Sequence, residues 1–299
     1  MPRSGGIAIV ASIFAGSLAV ALVIHLPGDG AVALFSAALL VAAVSFLDDR
    51  FSLNAGVRLL VHSGAAWWLL GSGFLPQSFV LPGTILWWPA PVAWIAGMLF
   101  VVWLTNLYNF MDGMDGFAAG MAGFGFSAYA LLGFLGGDTL FALLSLVVAA
   151  SAAGFLLFNF PPARIFMGDT GASTLGFLVA AFSLWADRDG LFPLWTGLLV
   201  FSPFIVDATV TLFRRLLKGK KIWEAHRSHY YQRLVQLGWG HRRTVLAEYG
   251  LMLASAAGAI AAMQLGVASQ WLIGGIWILF YLSAMVALPV AERRAGAGR

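Results

Sequence analysis

Residues 140–158 read LFALLSLVVAASAAGFLLF, nineteen consecutive positions without a charged side chain, framed by Asp138-Thr139 and by Asn159-Phe160-Pro161-Pro162. Wound as an α-helix, this run is about 28 Å long, close to the roughly 30 Å hydrocarbon thickness of a bilayer. Runs of the same kind recur near 7–26, 31–47, 57–75, 86–108, 117–135, 173–186, 191–212, 244–264 and 270–290. The pattern predicts an all-α, polytopic membrane bundle of about ten transmembrane helices. The first run, Ile7–Leu26, is of span length and lacks an evident small-residue cleavage site, so it reads as a retained helix.

The composition agrees. Of 299 residues, 61% are hydrophobic and 10% charged, and the mean hydropathy is +0.88, whereas soluble domains carry about 25% charged residues. Residues 1–299 read as a single integral-membrane domain without a soluble appendage or internal repeat. Nothing points to nucleic acid. The absence of cysteine excludes disulfides, thiolate metal sites and cysteine nucleophiles together.

Ten spans place both termini on one side. The breaks on that side (the termini, 48–58, 109–116, 159–172 and 213–243) hold sixteen of the seventeen Lys and Arg, leaving Arg188 alone opposite. By the positive-inside rule that side, with both termini, is cytoplasmic. Trp67-Trp68 and Trp87-Trp88 flank the presumed outer loop, where indole rings favour the headgroup region.

Five of the thirteen acidic residues, Asp48, Asp49, Asp112, Asp115 and Asp169, fall in three of these breaks. A carboxylate drawn toward hydrocarbon costs about 2.5–3.5 kcal/mol on insertion scales, so a compensating charge is expected. Phe46-Leu47-Asp48-Asp49-Arg50 ends the second span. Neighbouring helical residues point about 100° apart, so one carboxylate of the pair can serve a metal and the other a proton; a solvated helix end is the ordinary alternative. Arg58 follows, as a phosphate partner or a positive-inside charge.

In Asn106-Leu107-Tyr108-Asn109-Phe110-Met111-Asp112-Gly113-Met114-Asp115-Gly116, polar groups recur every third residue and line one side of a helical turn. Its glycines let the backbone leave the helix close to a ligand. Helix caps and turn formers account for only some of these groups. The third element is Phe158-Asn159-Phe160-Pro161-Pro162-Ala163-Arg164-Ile165-Phe166-Met167-Gly168-Asp169-Thr170-Gly171. Asp169 is expected to cap the next helix while serving a cation, with N–H groups of Gly168 to Gly171 facing phosphate oxygens.

The basic loop 213–243 contains His226-Arg227-Ser228-His229. A basic loop at a membrane usually anchors to anionic lipid, yet imidazoles mixed with a guanidinium suit a pyrophosphate. Asp207, two turns before Arg214, reads as a pairing or a polar link to the site. His25 is expected at an outer interface and His62 packed within the bundle.

In this order and spacing the elements resemble the polyprenyl-phosphate N-acetylhexosamine-1-phosphate transferases, over about residues 46–234. That family includes phospho-MurNAc-pentapeptide translocase and the GlcNAc-1-phosphate transferases that initiate O-antigen, enterobacterial common antigen and teichoic-acid linkage units. Asp48 and Asp49 match its aspartate pair; Asn109, Asp112 and Asp115 match Asn-x-x-Asp-Gly-x-Asp-Gly; Phe166 and Asp169 match Phe-Met-Gly-Asp. The histidine motif departs: relatives commonly read Asp-Arg-x-His-x-His-His, and here only Arg227 and His229 match, with Tyr231 and Gln232 in place of the last two histidines. The departure is similar to a sub-branch associated with 6-deoxy-HexNAc sugars.

The resemblance implies transfer of a HexNAc-1-phosphate from a UDP-sugar to undecaprenyl phosphate, dependent on Mg²⁺ with Mn²⁺ as a substitute, in the bacterial inner membrane. It implies Asp169 as a metal ligand, helped by Asp49 or Asp112, and Phe166 near the nucleotide base. Asp48 would position or deprotonate the lipid phosphate, and Asp115 belongs with the catalytic candidates. Arg227 and His229 would hold the sugar-side phosphate, with Asn109, Arg58, His226 and Asn159 as further substrate contacts. A transporter or flippase of an anionic lipid or nucleotide sugar is the alternative; it predicts carboxylates at mid-membrane depth. Homodimerisation is left open.

Overall fold

The computed structural model describes residues 5–24, 28–220 and 226–297. Arg3, His25, Lys221 and Arg299, which entered the charge and span reading, lie outside them. The first six helices are α1 (Gly5–Val23), α2 (Gly28–Phe51), α3 (Ala55–Leu69), α4 (Ala90–Met111), α5 (Phe117–Leu135) and α6 (Thr139–Asn159). They are followed by α7 (Gly168–Arg188), α8 (Leu194–Val200), α9 (Ser202–Leu217), α10 (Tyr230–Leu234), α11 (Gly240–Gln264) and α12 (Val267–Ala297). The architecture is the polytopic helical bundle expected, and every expected span overlaps a helix.

Among the described residues, seven helical stretches are long and apolar enough to cross a bilayer, with α10 and α11 counted as one, or eight when the bent pair α8 and α9 is taken as a span. The remaining two of the expected ten are α3, only 15 residues before a π-type turn at 70–74, and α7. The physical reason for α7 is its position. Every residue from Thr170 to Ala186 is buried, so the helix meets protein on all sides and needs no lipid-compatible surface. It packs on α1, α2 and α4. At Gly176 a Cβ would run into the Leu104 carbonyl and Tyr108, so glycine there lets α4 and α7 approach backbone to backbone.

The run expected at 191–212 is broken. Phe201 separates α8 from α9, which bend 84° apart; Pro203 lies in the first turn of α9, where its missing N–H is harmless, whereas inside a continuous helix it would remove a bond. Between α3 and α4 lies an unforeseen antiparallel hairpin, β1 (Ser78–Leu81) and β2 (Thr84–Trp87). Pro82-Gly83 makes its turn, Gly83 at φ +81°, with β-branched and aromatic residues on both strands. Hence α4 begins at Ala90, not 86. The loop expected at 213–243 is also partly helical, through the end of α9, α10 and the start of α11.

Candidate active site

The carboxylates gather where α2, α4 and α6 end and α3, α5 and α7 begin. Asp48 and Asp49 leave α2 one residue apart and do different things. The Oδ1 atom of Asp48 accepts from the Leu53 N–H at 2.6 Å, and its Oδ2 pairs with Arg58 Nη1 at 2.5 Å. The same Arg58 nitrogen donates to Asp169 Oδ2 at 2.9 Å. One guanidinium thus joins an aspartate of α2 to an aspartate of α7. Asn109, on the last turn of α4, is within hydrogen-bonding reach of Asp169, and His62 is buried one turn beyond Arg58, beside Asn106.

The cap of α7 comes from elsewhere than expected. The Asp49 Oδ1 atom accepts from the Asp169 N–H at 2.9 Å, while its Oδ2 accepts from the Thr170 N–H at 3.0 Å and from Thr170 Oγ1 at 2.6 Å. An anion on the free N–H groups of a helix N-terminus satisfies both their hydrogen bonds and the macrodipole. Asp49 already fills that place, so these N–H groups do not face the site as open phosphate donors, and Asp169 is free to turn toward Arg58. The sequence offered no signal for this, because Thr170 lies 121 positions from Asp49.

Asp112 stands at the C-cap of α4, and no hydrogen bond to its carboxylate is found among the described residues. Burial, then the negative charges of Asp169, Asp49 and Asp115, push its carboxyl up to about 7. The cluster is therefore short of positive charge, with Arg58 its one direct ion-pair partner among the described residues. No set of three His, Asp or Glu side chains among them forms a ready metal cage. Mg²⁺ commonly takes only one or two carboxylates and completes its shell with water and phosphate oxygens. The hard oxygen donors of Asp112 and Asp169 fit such an ion; Asp49, its oxygens spent on α7, fits it less well than the sequence suggested.

Two of the expected site residues make bonds that shape the loops around the cluster. Asn159 accepts from the Gly116 N–H at 2.9 Å and donates to the Ile165 carbonyl at 2.8 Å, and Asp115 accepts from the Ala163 N–H at 3.0 Å. Both stitch the 112–116 turn to the 160–167 loop, which fixes where Asp112 and Asp169 stand. Phe166 projects from that loop and is 38% exposed, available to a ligand ring.

The histidine segment forms a second group. Asp207 on α9 accepts from the N–H groups of Tyr230 and Tyr231 at 2.9 and 3.1 Å and from Thr211 Oγ1 at 3.0 Å, and the same carboxylate meets His229 Nδ1 at 3.2 Å. A lone carboxylate on an apolar helix was the sequence signal for this anchor. His229 is buried. His226 is held below its ordinary pKa by partial burial and by the neighbouring His229 and Arg215, so at neutral pH it is an uncharged imidazole. Arg227 is exposed.

What docks this segment on the acidic cluster is Tyr231, absent from the site residues expected. Its hydroxyl occupies the space that a side chain at Gly113 would fill, with Gln232 Nε2 beside it, and its ring packs on Phe117 at 4.6 Å between centroids. The two residues that replace histidines of the resembled pattern therefore make the contact next to Asp112.

With that geometry established, similarity to known proteins is informative. The chain is 35% identical over 287 residues, 94% of its length and 77% of the relative's, to a probable undecaprenyl-phosphate N-acetylglucosaminyl 1-phosphate transferase of Bacillus subtilis (strain 168). It is 32% identical over 286 residues (83% and 70%) to decaprenyl-phosphate N-acetylglucosaminephosphotransferase of Mycobacterium leprae. It is 31% identical over 261 residues (82% and 78%) to phospho-N-acetylmuramoyl-pentapeptide-transferase of Shouchella clausii. Residues 31–187, which carry the whole acidic cluster, match the profile of glycosyl transferase family 4, and the chain belongs to that family.

Proposed function

We propose that this protein transfers a HexNAc-1-phosphate, or a deoxy-HexNAc-1-phosphate, from a UDP-sugar to undecaprenyl phosphate at the cytoplasmic face of the bacterial inner membrane. UMP is released, and the lipid-linked sugar initiates a cell-envelope glycan such as O-antigen. The observation that carries this reading is Arg58 bridging Asp48 and Asp169 beside Asp112 at one end of the bundle, in a family whose relatives are named for this transfer.

The chemistry joins anions. A phosphate oxygen of the carrier attacks the β-phosphorus of the nucleotide sugar, the bond from that phosphorus to the bridging oxygen breaks, and UMP departs with the electron pair. Positioning and charge compensation supply most of the acceleration in such reactions. Bound Mg²⁺ would supply compensation for the pyrophosphate charge, held by Asp112 and Asp169. Arg58, oriented by Asp48, presents its remaining N–H donors to a phosphate. With both oxygens engaged, Asp48 acts as the holder of Arg58 rather than as a base; a phosphate monoester is largely ionised at neutral pH and needs little deprotonation. Phe166 offers its exposed ring to the uracil.

The test is UMP release by purified protein with undecaprenyl phosphate and a panel of UDP-HexNAc sugars, in Mg²⁺, Mn²⁺ or EDTA, comparing wild type with Asp169→Asn. Lipid- and metal-dependent UMP from one donor, lost in the variant, is expected. Folded protein that binds UDP-sugars yet releases no UMP from any of them would sink the proposal.

A further inference from the structure

Away from the acidic cluster, on the face of α9 turned toward α12, two cavities follow one another along the same pair of helices. One has about 390 Å³ and is lined by Arg214, Arg215, Lys218, Lys220, Arg233 and Arg293, with Glu292 as its carboxylate. These cations come from three separated parts of the chain: the end of α9, the helix α10 and the end of α12. Glu292 is committed to Arg233 through two hydrogen bonds of 2.8 and 2.6 Å, and Arg214 donates to the Tyr230 hydroxyl at 2.7 Å. Arg214, Lys218, Lys220 and Arg293 bring four further positive charges to the hollow, and like charges so close together favour an anion between them.

The second cavity has about 410 Å³ and is lined by Pro203, Val206, Leu251, Ala284, Met285 and Leu288 among others, with Asp207, Glu248, Tyr230, Tyr281 and Trp239 as its groups bearing polar atoms. Along α9 it spans 203–207, where the basic cavity spans 211–218; along α12 it spans 280–291, where the basic one spans 289–293. It lies deeper in the bundle, on the membrane side of the cations. Phe213, Leu216, Leu217, Val286 and Val290 expose apolar surface around the same helix ends.

From this arrangement we infer that the seam between α9 and α12 binds an anionic phospholipid, its phosphate among the cations of the basic cavity and an acyl chain in the apolar one. Spread over a flat surface, such residues would give diffuse attraction to an anionic leaflet; enclosed in a hollow with a greasy slot below, they select one amphiphile. The headgroup would hold α12 to α9 and α10, which among the described residues are also joined by the Arg233–Glu292 pair and by the Ser202–Tyr281 hydroxyls at 2.7 Å. None of its six cations belongs to the acidic cluster.

The experiment uses the full-length protein, stripped of co-purified lipid in detergent. Binding is followed by native mass spectrometry with phosphatidylglycerol, phosphatidylcholine or inorganic phosphate, and with undecaprenyl phosphate as competitor. Wild type should bind phosphatidylglycerol in preference to phosphatidylcholine. The variant Lys218→Gln, Lys220→Gln, Arg293→Gln, shown folded by its circular dichroism melt, should lose on the order of 100-fold in phosphatidylglycerol affinity, about one decade or somewhat less per charge. Ala284→Phe, which narrows only the apolar slot, should weaken long-chain phosphatidylglycerol while leaving the dihexanoyl lipid unchanged. Equal binding of the two phospholipids, or an unaltered triple variant, overturns the inference. Inorganic phosphate binding as tightly as the lipid would make this a free-phosphate site, and one-for-one displacement by undecaprenyl phosphate would make it the acceptor's; either result also overturns it.

Discussion

Asp49 and Thr170, 121 positions apart, meet through one carboxylate oxygen: Asp49 Oδ2 takes the backbone N–H of Thr170 at 3.0 Å and its hydroxyl at 2.6 Å. The helix that presents Asp169 is thus started by an aspartate from another helix. Asp49→Ala should cost about 1–2 kcal/mol through loss of the cap, read as a lower midpoint in thermal unfolding, together with loss of UMP release. Asp49→Asn keeps one acceptor and should recover most of the stability. A destabilised Asn variant with an unaffected Ala variant would contradict the capping role.

Arg58 carries two ion pairs on one nitrogen. Arg58→Gln leaves Asp48 and Asp169 facing each other without their cation, and loss of a preorganised donor to a phosphate is worth roughly 100-fold or more in kcat. Arg58→Lys keeps the charge without the planar fork and should retain an intermediate rate. UMP release measured for the two variants at saturating donor decides this; near-wild-type turnover of Arg58→Gln would remove Arg58 from the site.

Asp112 gives a pH dependence with a definite sign. Its carboxyl is raised from 3.8 to about 7 in the folded protein, so the native state holds a proton that the unfolded chain has released. Stability is greatest below the unfolded value and declines as pH rises from about 4 through 7. In EDTA the unfolding midpoint of wild type should fall across that window, and Asp112→Asn should flatten the profile and melt higher at pH 8. Mg²⁺ should restore part of the wild-type stability at pH 8. A wild-type profile level from pH 4 to 8 would refute the shift.

Gly113 and Tyr231 form a lock between the acidic cluster and the histidine segment. Gly113→Ala places a methyl group on the Tyr231 hydroxyl and should lower kcat by roughly tenfold or more, in keeping with displacement of a positioned segment. Adding Tyr231→Phe removes the obstructing oxygen and should recover part of the loss. Strictly additive effects in this double-mutant cycle would show that the two positions are independent.

Asp207 accepts from both tyrosine N–H groups that begin α10. Asp207→Ala should raise hydrogen exchange at Tyr230 and Tyr231 and lower UMP release without changing the protection of α7. Unchanged exchange at those two amides would mean that α10 holds its place without the anchor.

The helical membrane architecture and the members of the acidic cluster were legible in the sequence. A run such as 140–158 declares a membrane helix because the cost of exposing polar atoms to hydrocarbon is summed over consecutive residues, which needs no knowledge of neighbours. Asp48, Asp112 and Asp169 were legible for a related reason: each is a charge at the edge of an apolar run, where its cost is plain. The bonds each carboxylate makes emerge only from packing. Asp49 caps α7 and Asp169 does not; Asn159 and Asp115 close a turn; Tyr231 makes a contact that no motif reserved for it. The tertiary structure also decided that α7, buried on every side, needs little of the apolar surface by which spans are recognised, and that Pro203 breaks a run of ordinary hydropathy. The contacts of Asn159, Asp115 and Asp49 join partners 43 to 121 positions apart, and hydrogen-bond geometry between them exists only after the helices have packed.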